Sequence, residues 1–169
     1  MKDKWMYAYM DIALRIAQLS YAKRAKVGAI IVKDHMILSC GYNGTPAGWD
    51  NNCEHKEYCL SKDFNGNYFP GTEGEYPLED RLGRYRLKTK PEVIHAERNA
   101  LDKLSKTTGG GEGASLFVTH SPCIECAKSI HTAGISMVYY KEPHKASGGL
   151  EFLHKSGVNT TRVLYHDDD

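Results

Sequence analysis

Between residues 4 and 19 the apolar positions Trp5, Met6, Tyr9, Ile12, Ala13, Ile16 and Ala17 recur at intervals of three and four. That period predicts a helix with one buried stripe. The pattern then changes. VGAIIVK (27–33) and MILSCGYN (36–43) are β-branched or apolar runs separated only by Asp34 and His35, which predicts an antiparallel hairpin. Residues 44–91 carry neither period. Gly, Pro, Asn, Tyr and charge dominate there, with turn signals at NGTPAG, FNGN, FPGTEG and YPLED. The expectation is a long loop-rich insertion, and loops of that length inside a domain are usually functional.

Regular alternation resumes after Pro91. The chain reads as a helix at about 95–106, a turn TGGGEGA, a strand SLFVTH (115–120), a helix from Cys123 to Ala133 and a strand MVYYK (137–141). A helical GGLEFLHKSG and a last strand TTRVLYH (160–166) follow, with Asp167–Asp169 as a solvated tail. Strands that alternate with helices imply right-handed crossovers and parallel neighbours. The predicted class is α/β: one domain over 1–169, with a mixed five-stranded sheet, the antiparallel N-terminal hairpin at one side, the remaining strands parallel, and helices on both faces.

Charge changes this picture little. Lys plus Arg number 22 against 21 Asp plus Glu, a formal net charge of +1, and the one basic run is AKRAK at 22–26. A dedicated polynucleotide binder would carry a basic face, so no polynucleotide partner is expected, whereas a single phosphate needs only one or two cations. No apolar run reaches the ~18 residues of a membrane helix. The start, MKDKWMYAYMD, lacks the apolar core of a signal peptide, so the expected location is cytoplasmic with no membrane partner. Five cysteines are an odd number, and two form a C-x-x-C; metal or redox use in a reducing compartment fits better than a disulfide framework.

The chemistry concentrates in two short stretches. In HSPCIEC (120–126), Ser121 suits a helix N-cap and Pro122 the first helical position, so Cys123 and Cys126 share a face of the first turn. The positive end of the helix dipole favours thiolates there. In VIHAERNAL (93–101), His95 and Glu97 stand two apart at the start of another helix. On a helix wall such a pair points to opposite sides, but at an N-terminus both can lean toward the axis. Helices that follow neighbouring strands start at the same sheet edge, so the two first turns can converge. One imidazole and two thiolates suit Zn²⁺ with a fourth position open to water, and Glu97, not a ligand, would carry protons.

H-x-E followed at a distance by P-C-x-x-C is the zinc-deaminase signature, present as His95-Ala96-Glu97 and Pro122-Cys123-Ile124-Glu125-Cys126. With KVGAIIV, GYNGTPAG, HAERNAL and SPCIECAKSIHTAGI, the chain resembles the deoxycytidylate (dCMP) deaminases of the cytidine-deaminase superfamily, phage members included. The motifs span most of residues 20–141. The resemblance implies a three-layer α/β/α cytidine-deaminase-like fold and hydrolysis of dCMP to dUMP and ammonia, supplying thymidylate synthesis. It implies zinc on His95, Cys123 and Cys126, Glu97 as proton carrier, Asn43 on the sugar 3′-hydroxyl, and the Ala96 N–H on the pyrimidine carbonyl. It further implies a homohexamer activated by dCTP and inhibited by dTTP, with Mg²⁺ accompanying the regulator. That second nucleotide site would lie around Lys26, Gly28, Gly41, Tyr42, Asn43 and Gly44. Some phage relatives carry a structural zinc using a cysteine before KVGA, which this chain lacks.

Other readings stand beside this one. Arg98, Lys106 and the 23–26 cluster are the candidate phosphate cations. Cys53, His55 and Cys59 in NNCEHKEYC are more simply buried or surface residues than a second metal site. His120 reads as a strand end hydrogen-bonded to backbone rather than a fourth ligand, and His131, His144, His154 and His166 as surface or satisfied histidines. The alternative functions are a tRNA- or single-stranded-DNA-acting deaminase of the same superfamily, and a non-catalytic zinc assembly module, which leaves Glu97 unexplained.

Overall fold

The apolar runs become the middle of a sheet. The computed structural model describes residues 1–107, 109–144 and 148–165; His166 and the acidic tail lie outside the described residues. Strands β1 (Gly28–Lys33), β2 (Met36–Tyr42), β6 (Ser115–His120), β7 (Met137–Glu142) and β8 (Asn159–Arg162) form one sheet in the order β2-β1-β6-β7-β8. The β1–β2 and β1–β6 pairs are antiparallel, and β6–β7–β8 run parallel. Ala29 and Ile31 point to one face and Ile30 and Val32 to the other, all buried. Leu116 and Val118 alternate in the same way with Phe117. Burial on both faces is why these strands read as continuous apolar runs without polar alternation.

Each face has its own helical layer. Helix α1 (Asp3–Ala17) lays Tyr9, Met10 and Ala13 on Ile30, Phe117, Tyr139 and Val163. Helices α3 (Ala96–Leu104), α4 (Ile124–Thr132) and α5 (Gly148–Lys155) cover the opposite face through Ala100, Leu104, Ala127, Ile130 and Leu153. This is the expected three-layer α/β/α arrangement with the hairpin at the sheet edge. The hairpin turns on Asp34 and His35, both at positive φ (49° and 62°), as a two-residue turn matched to strand twist requires. The Tyr9 hydroxyl donates to the His35 carbonyl at 3.2 Å and ties that turn to α1. No helix among the described residues is long and apolar enough to cross a membrane.

The segment read as loop is not structureless. It holds β3 (Glu54–Tyr58), a short helix α2 (Thr72–Glu75), β4 (Leu78–Asp80) and β5 (Gly83–Thr89), with the strands ordered β3-β5-β4 in a second antiparallel sheet. Charge stitches it together. Lys56 pairs with Asp80, and Glu57 with both Arg86 and Lys88; Arg86 also reaches Glu75 at 2.8 Å. Lys56 sits over the Tyr85 ring and Arg86 over that of Tyr76. Cross-strand ion pairs and cation–π contacts stand here in place of β-branched side chains, so the hydrophobic pattern did not reveal these strands.

Candidate active site and metal centre

The two chemical stretches meet at one edge of the large sheet. α4 follows directly from the carboxyl end of β6. α3 does not follow a strand of that sheet; it is held there by a bridge in which the Gly44 N–H donates to the Ile94 carbonyl and the Ile94 N–H to that of Gly44. The GYNG stretch after β2 thus pins the residue immediately before His95.

Both helices begin one residue later than the sequence suggests. His95 and Cys123 are themselves the N-caps, in extended conformation (ψ 154° and 169°), and neither makes a side-chain cap bond. The Ser121 hydroxyl expected to cap α4 accepts the His144 backbone N–H instead, at 2.7 Å. An N-cap side chain normally turns back onto its own helix, whereas here an imidazole and a thiol are left to face each other. His95 Nδ1 lies 3.6 Å from Cys123 Sγ and 3.4 Å from Cys126 Sγ. The three donor atoms fall within 4.8 Å of one another, the only such group among the described residues. Tetrahedral zinc, with Zn–S about 2.3 Å and Zn–N about 2.0 Å, sets neighbouring N and S donors roughly 3.5 Å apart, so these side chains fit the ion.

Glu97 stands outside that group at the second position of α3 and is 4% exposed. Burial pushes its carboxyl above the usual range, which favours the proton-carrying form. The thiols are unequal. A hydrogen bond from Cys126, supported by His95, holds Cys123 down at about 3, whereas donating that bond and being buried push Cys126 up. The bond with Cys123 raises His95. A cavity of about 390 Å³ opens over these groups, lined among others by Arg24, Asn43, Glu54, Ala96 and His120.

The other sequence candidates are distributed unevenly. Ala96 is the first residue of α3, whose N–H has no acceptor within the helix. Asn43 lines the cavity, but its amide already accepts the Val27 N–H at 2.8 Å and donates to the Ala25 carbonyl at 2.9 Å. Of the phosphate candidates, Arg24 lines the cavity, while Arg98 pairs with Asp102 elsewhere. His120 ends β6 and contacts the Thr119 hydroxyl at 3.3 Å rather than backbone. Cys53 and Cys59 flank opposite ends of β3 and are not brought together with His55. Tyr42 and Gly44 line a second cavity of about 250 Å³ with Trp49 and Lys103; Lys26 lies on another surface beside Gln18 and Lys23. Glu54, a charged residue within the loop-like segment, gave no sequence signal.

Gly28 and Gly41 are where helices touch strands. A Cβ on Gly41 would lie 2.4 Å from the Ala96 carbonyl oxygen, and one on Gly28 2.2 Å from that of Ala13. Gly41→Ala and Gly28→Ala should each destabilise by about 1–3 kcal/mol through overpacking. Only Gly41→Ala should also lower kcat, because α3 carries His95 and Glu97 whereas α1 carries no part of the site. Thermal melts alongside turnover check this; equal effects on kcat would show that the first turn of α3 is not held by that contact.

A buried acid beside one imidazole and two thiols, at the edge of an α/β/α sandwich, defines a class of zinc-dependent hydrolases. The profile of the cytidine and deoxycytidylate deaminase zinc-binding region matches residues 3–142, and the chain belongs to that family. It is 34% identical to ComE operon protein 2 of Bacillus subtilis over 160 residues, 94% of this chain and 71% of the relative. It is 30% identical to the deoxycytidylate deaminase of Enterobacteria phage T4 over 175 residues, 91% and 87% of the two chains. The crystal structure of the dCMP deaminase from cyanophage S-TIM5 in complex with dCMP and dUMP superposes with a TM-score of 0.76 at 36% identity, covering 96% of this chain and 99% of that one.

Proposed function

We propose that this protein hydrolyses dCMP to dUMP and ammonia, supplying precursor for thymidylate synthesis, with His95, Cys123 and Cys126 holding zinc. The observation that carries the reading is the 3.4 and 3.6 Å approach of both sulfurs to His95 Nδ1 beside a buried, non-ligating Glu97. Bound zinc supplies the Lewis acidity that lowers the pKa of water to about 7. Glu97 would accept one proton from the attacking water and give it to N3, then accept the second from the hydroxyl left on C4 and give it to the departing amine, so a single carboxyl acts as base and acid in turn. Its raised pKa suits it to hold the proton between those steps. The Ala96 N–H orients the pyrimidine carbonyl, the second N–H of the Asn43 amide donates to the sugar 3′-hydroxyl oxygen, and Arg24 meets the phosphate.

Ammonia release from dCMP, deoxycytidine, CMP and a single-stranded oligonucleotide tests the substrate. dCMP should be strongly preferred, and Arg24→Ala should raise KM for dCMP without changing that for deoxycytidine. Activity on the oligonucleotide alone would overturn the reading. Activation by dCTP, inhibition by dTTP with Mg²⁺, and a homohexamer belong to the same proposal. The cavity at Tyr42, Gly44, Trp49 and Lys103 supports a second nucleotide site. Adding each nucleotide to the dCMP assay tests the regulation, and sedimentation tests the assembly. A cytoplasmic location belongs to the same proposal, because a reducing compartment keeps the Cys123 and Cys126 thiols available to the metal.

A further inference from the structure

Glu54 opens β3 at 4% exposure, a position where a carboxylate is seldom found unless its oxygens are paired. One oxygen is paired: Oε1 accepts the backbone N–H groups of Lys23 and Arg24 at 2.9 and 3.1 Å. The other, Oε2, is buried and has no hydrogen-bond partner among the described residues. Such an orphan is unusual enough to call for a cause. Glu54 lines the same cavity as His95, Glu97, Arg24 and Asn43. The neighbouring polar groups do not reach it: the Asn43 amide binds Val27 and Ala25, and the Arg24 guanidinium directs one N–H to the Thr89 hydroxyl at 3.0 Å.

Resting on the deaminase reading above, we propose that Glu54 Oε2 accepts a hydrogen bond from the sugar 3′-hydroxyl and makes a free 3′ end a requirement for binding. An unpaired carboxylate oxygen needs a donor. A deoxycytidine nucleotide carries two, the exocyclic amine and the 3′-hydroxyl; the amine belongs at the zinc and Glu97. The 5′-phosphate offers only acceptors and negative charge, which a carboxylate repels. A 3′-phosphodiester, as in any internal position of a polynucleotide, has lost the donor and brings a charge of the wrong sign. Glu54 therefore separates free nucleotides from nucleic acid at the sugar, independently of the base chemistry.

The test compares kcat/KM for dCMP and 2′,3′-dideoxycytidine 5′-monophosphate in the zinc-loaded wild type, Glu54→Gln and Glu54→Ala, with zinc content and melting temperature recorded for each. A hydrogen bond to a charged group predicts a wild-type preference for dCMP of about 10- to 100-fold. Glu54→Gln, whose Oε1 still accepts from Lys23 and Arg24, should reduce that preference below about tenfold, as for a neutral bond, and Glu54→Ala should bring it to about one. Equal use of both substrates by the wild type overturns the proposal, and this measurement decides the matter even if neither variant folds. Variants that slow both substrates together while keeping the full preference also overturn it, leaving Glu54 as a brace for the Lys23–Arg24 turn. A wild type that does not consume dCMP at all removes the deaminase reading itself, and this inference with it.

Discussion

Glu97→Ala is expected to retain its zinc and to lose about 10²- to 10⁴-fold in kcat, the range supplied by a positioned general acid–base group. The separation of the two effects follows from geometry. Glu97 lies outside the group formed by His95, Cys123 and Cys126, so removing it leaves the metal donors intact. Its cavity-lining position beside them gives it access to protons on both the attacking water and the base. Metal analysis together with turnover of dCMP checks the claim. A variant that lost its metal would make Glu97 a ligand and the mechanism wrong; a variant with zinc and nearly full activity would assign the proton traffic to another group. Glu97→Gln is the stricter version, because it keeps the side-chain volume in a buried site and removes only the ability to exchange a proton.

His95→Ala and Cys126→Ala should each abolish both zinc and activity, and should also lower the melting temperature. Stability enters because a ligand that binds only the folded chain adds about 4 kcal/mol at a thousandfold excess over its Kd, which for a chain of this size corresponds to a fall of roughly 8–16 °C on its loss. The helix starts give a local reason. His95 and Cys123 occupy N-cap positions without capping bonds, so a metal held by these side chains and Cys126 would tie the first turns of α3 and α4 together. A chelator should reproduce the loss in the wild type, and added zinc should restore both activity and melting temperature. Full activity after exhaustive removal of zinc would contradict the assignment.

What the sequence disclosed depended on which force held each part. The central strands were legible because burial on both faces leaves a run such as GAIIV or LFV without polar interruption; α1 was legible through Tyr9, Ala13 and Ala17 of its stripe, although Trp5 and Ile12 of that stripe stay exposed and Met10, outside it, is buried. The convergence of His95 with Cys123 and Cys126 was legible because motif chemistry and helix starts pointed to the same edge. The route was not: α3 reaches that edge through the Gly44–Ile94 bridge, a backbone pairing that side-chain patterns do not report. The capping of α4 was misread for a related reason, since Ser121 has a partner in His144, whose distance along the chain is hidden from local rules. The second sheet was missed because Lys56, Glu57, Arg86 and Lys88 look like loop composition until their partners across the strands are known. Glu54 was missed with it.

That small sheet has a functional corollary. Glu54 and Thr89 face each other at its end and both border the substrate cavity, whereas His95, Glu97, Cys123 and Cys126 ride on helices packed against the large sheet. If Glu54 reads the sugar as proposed, recognition of the 3′-hydroxyl and the chemistry on the base draw on separate sheets. Substitutions at Glu54 or Thr89 would then alter which sugars are admitted without removing any of the three metal donors, which sit at the starts of α3 and α4.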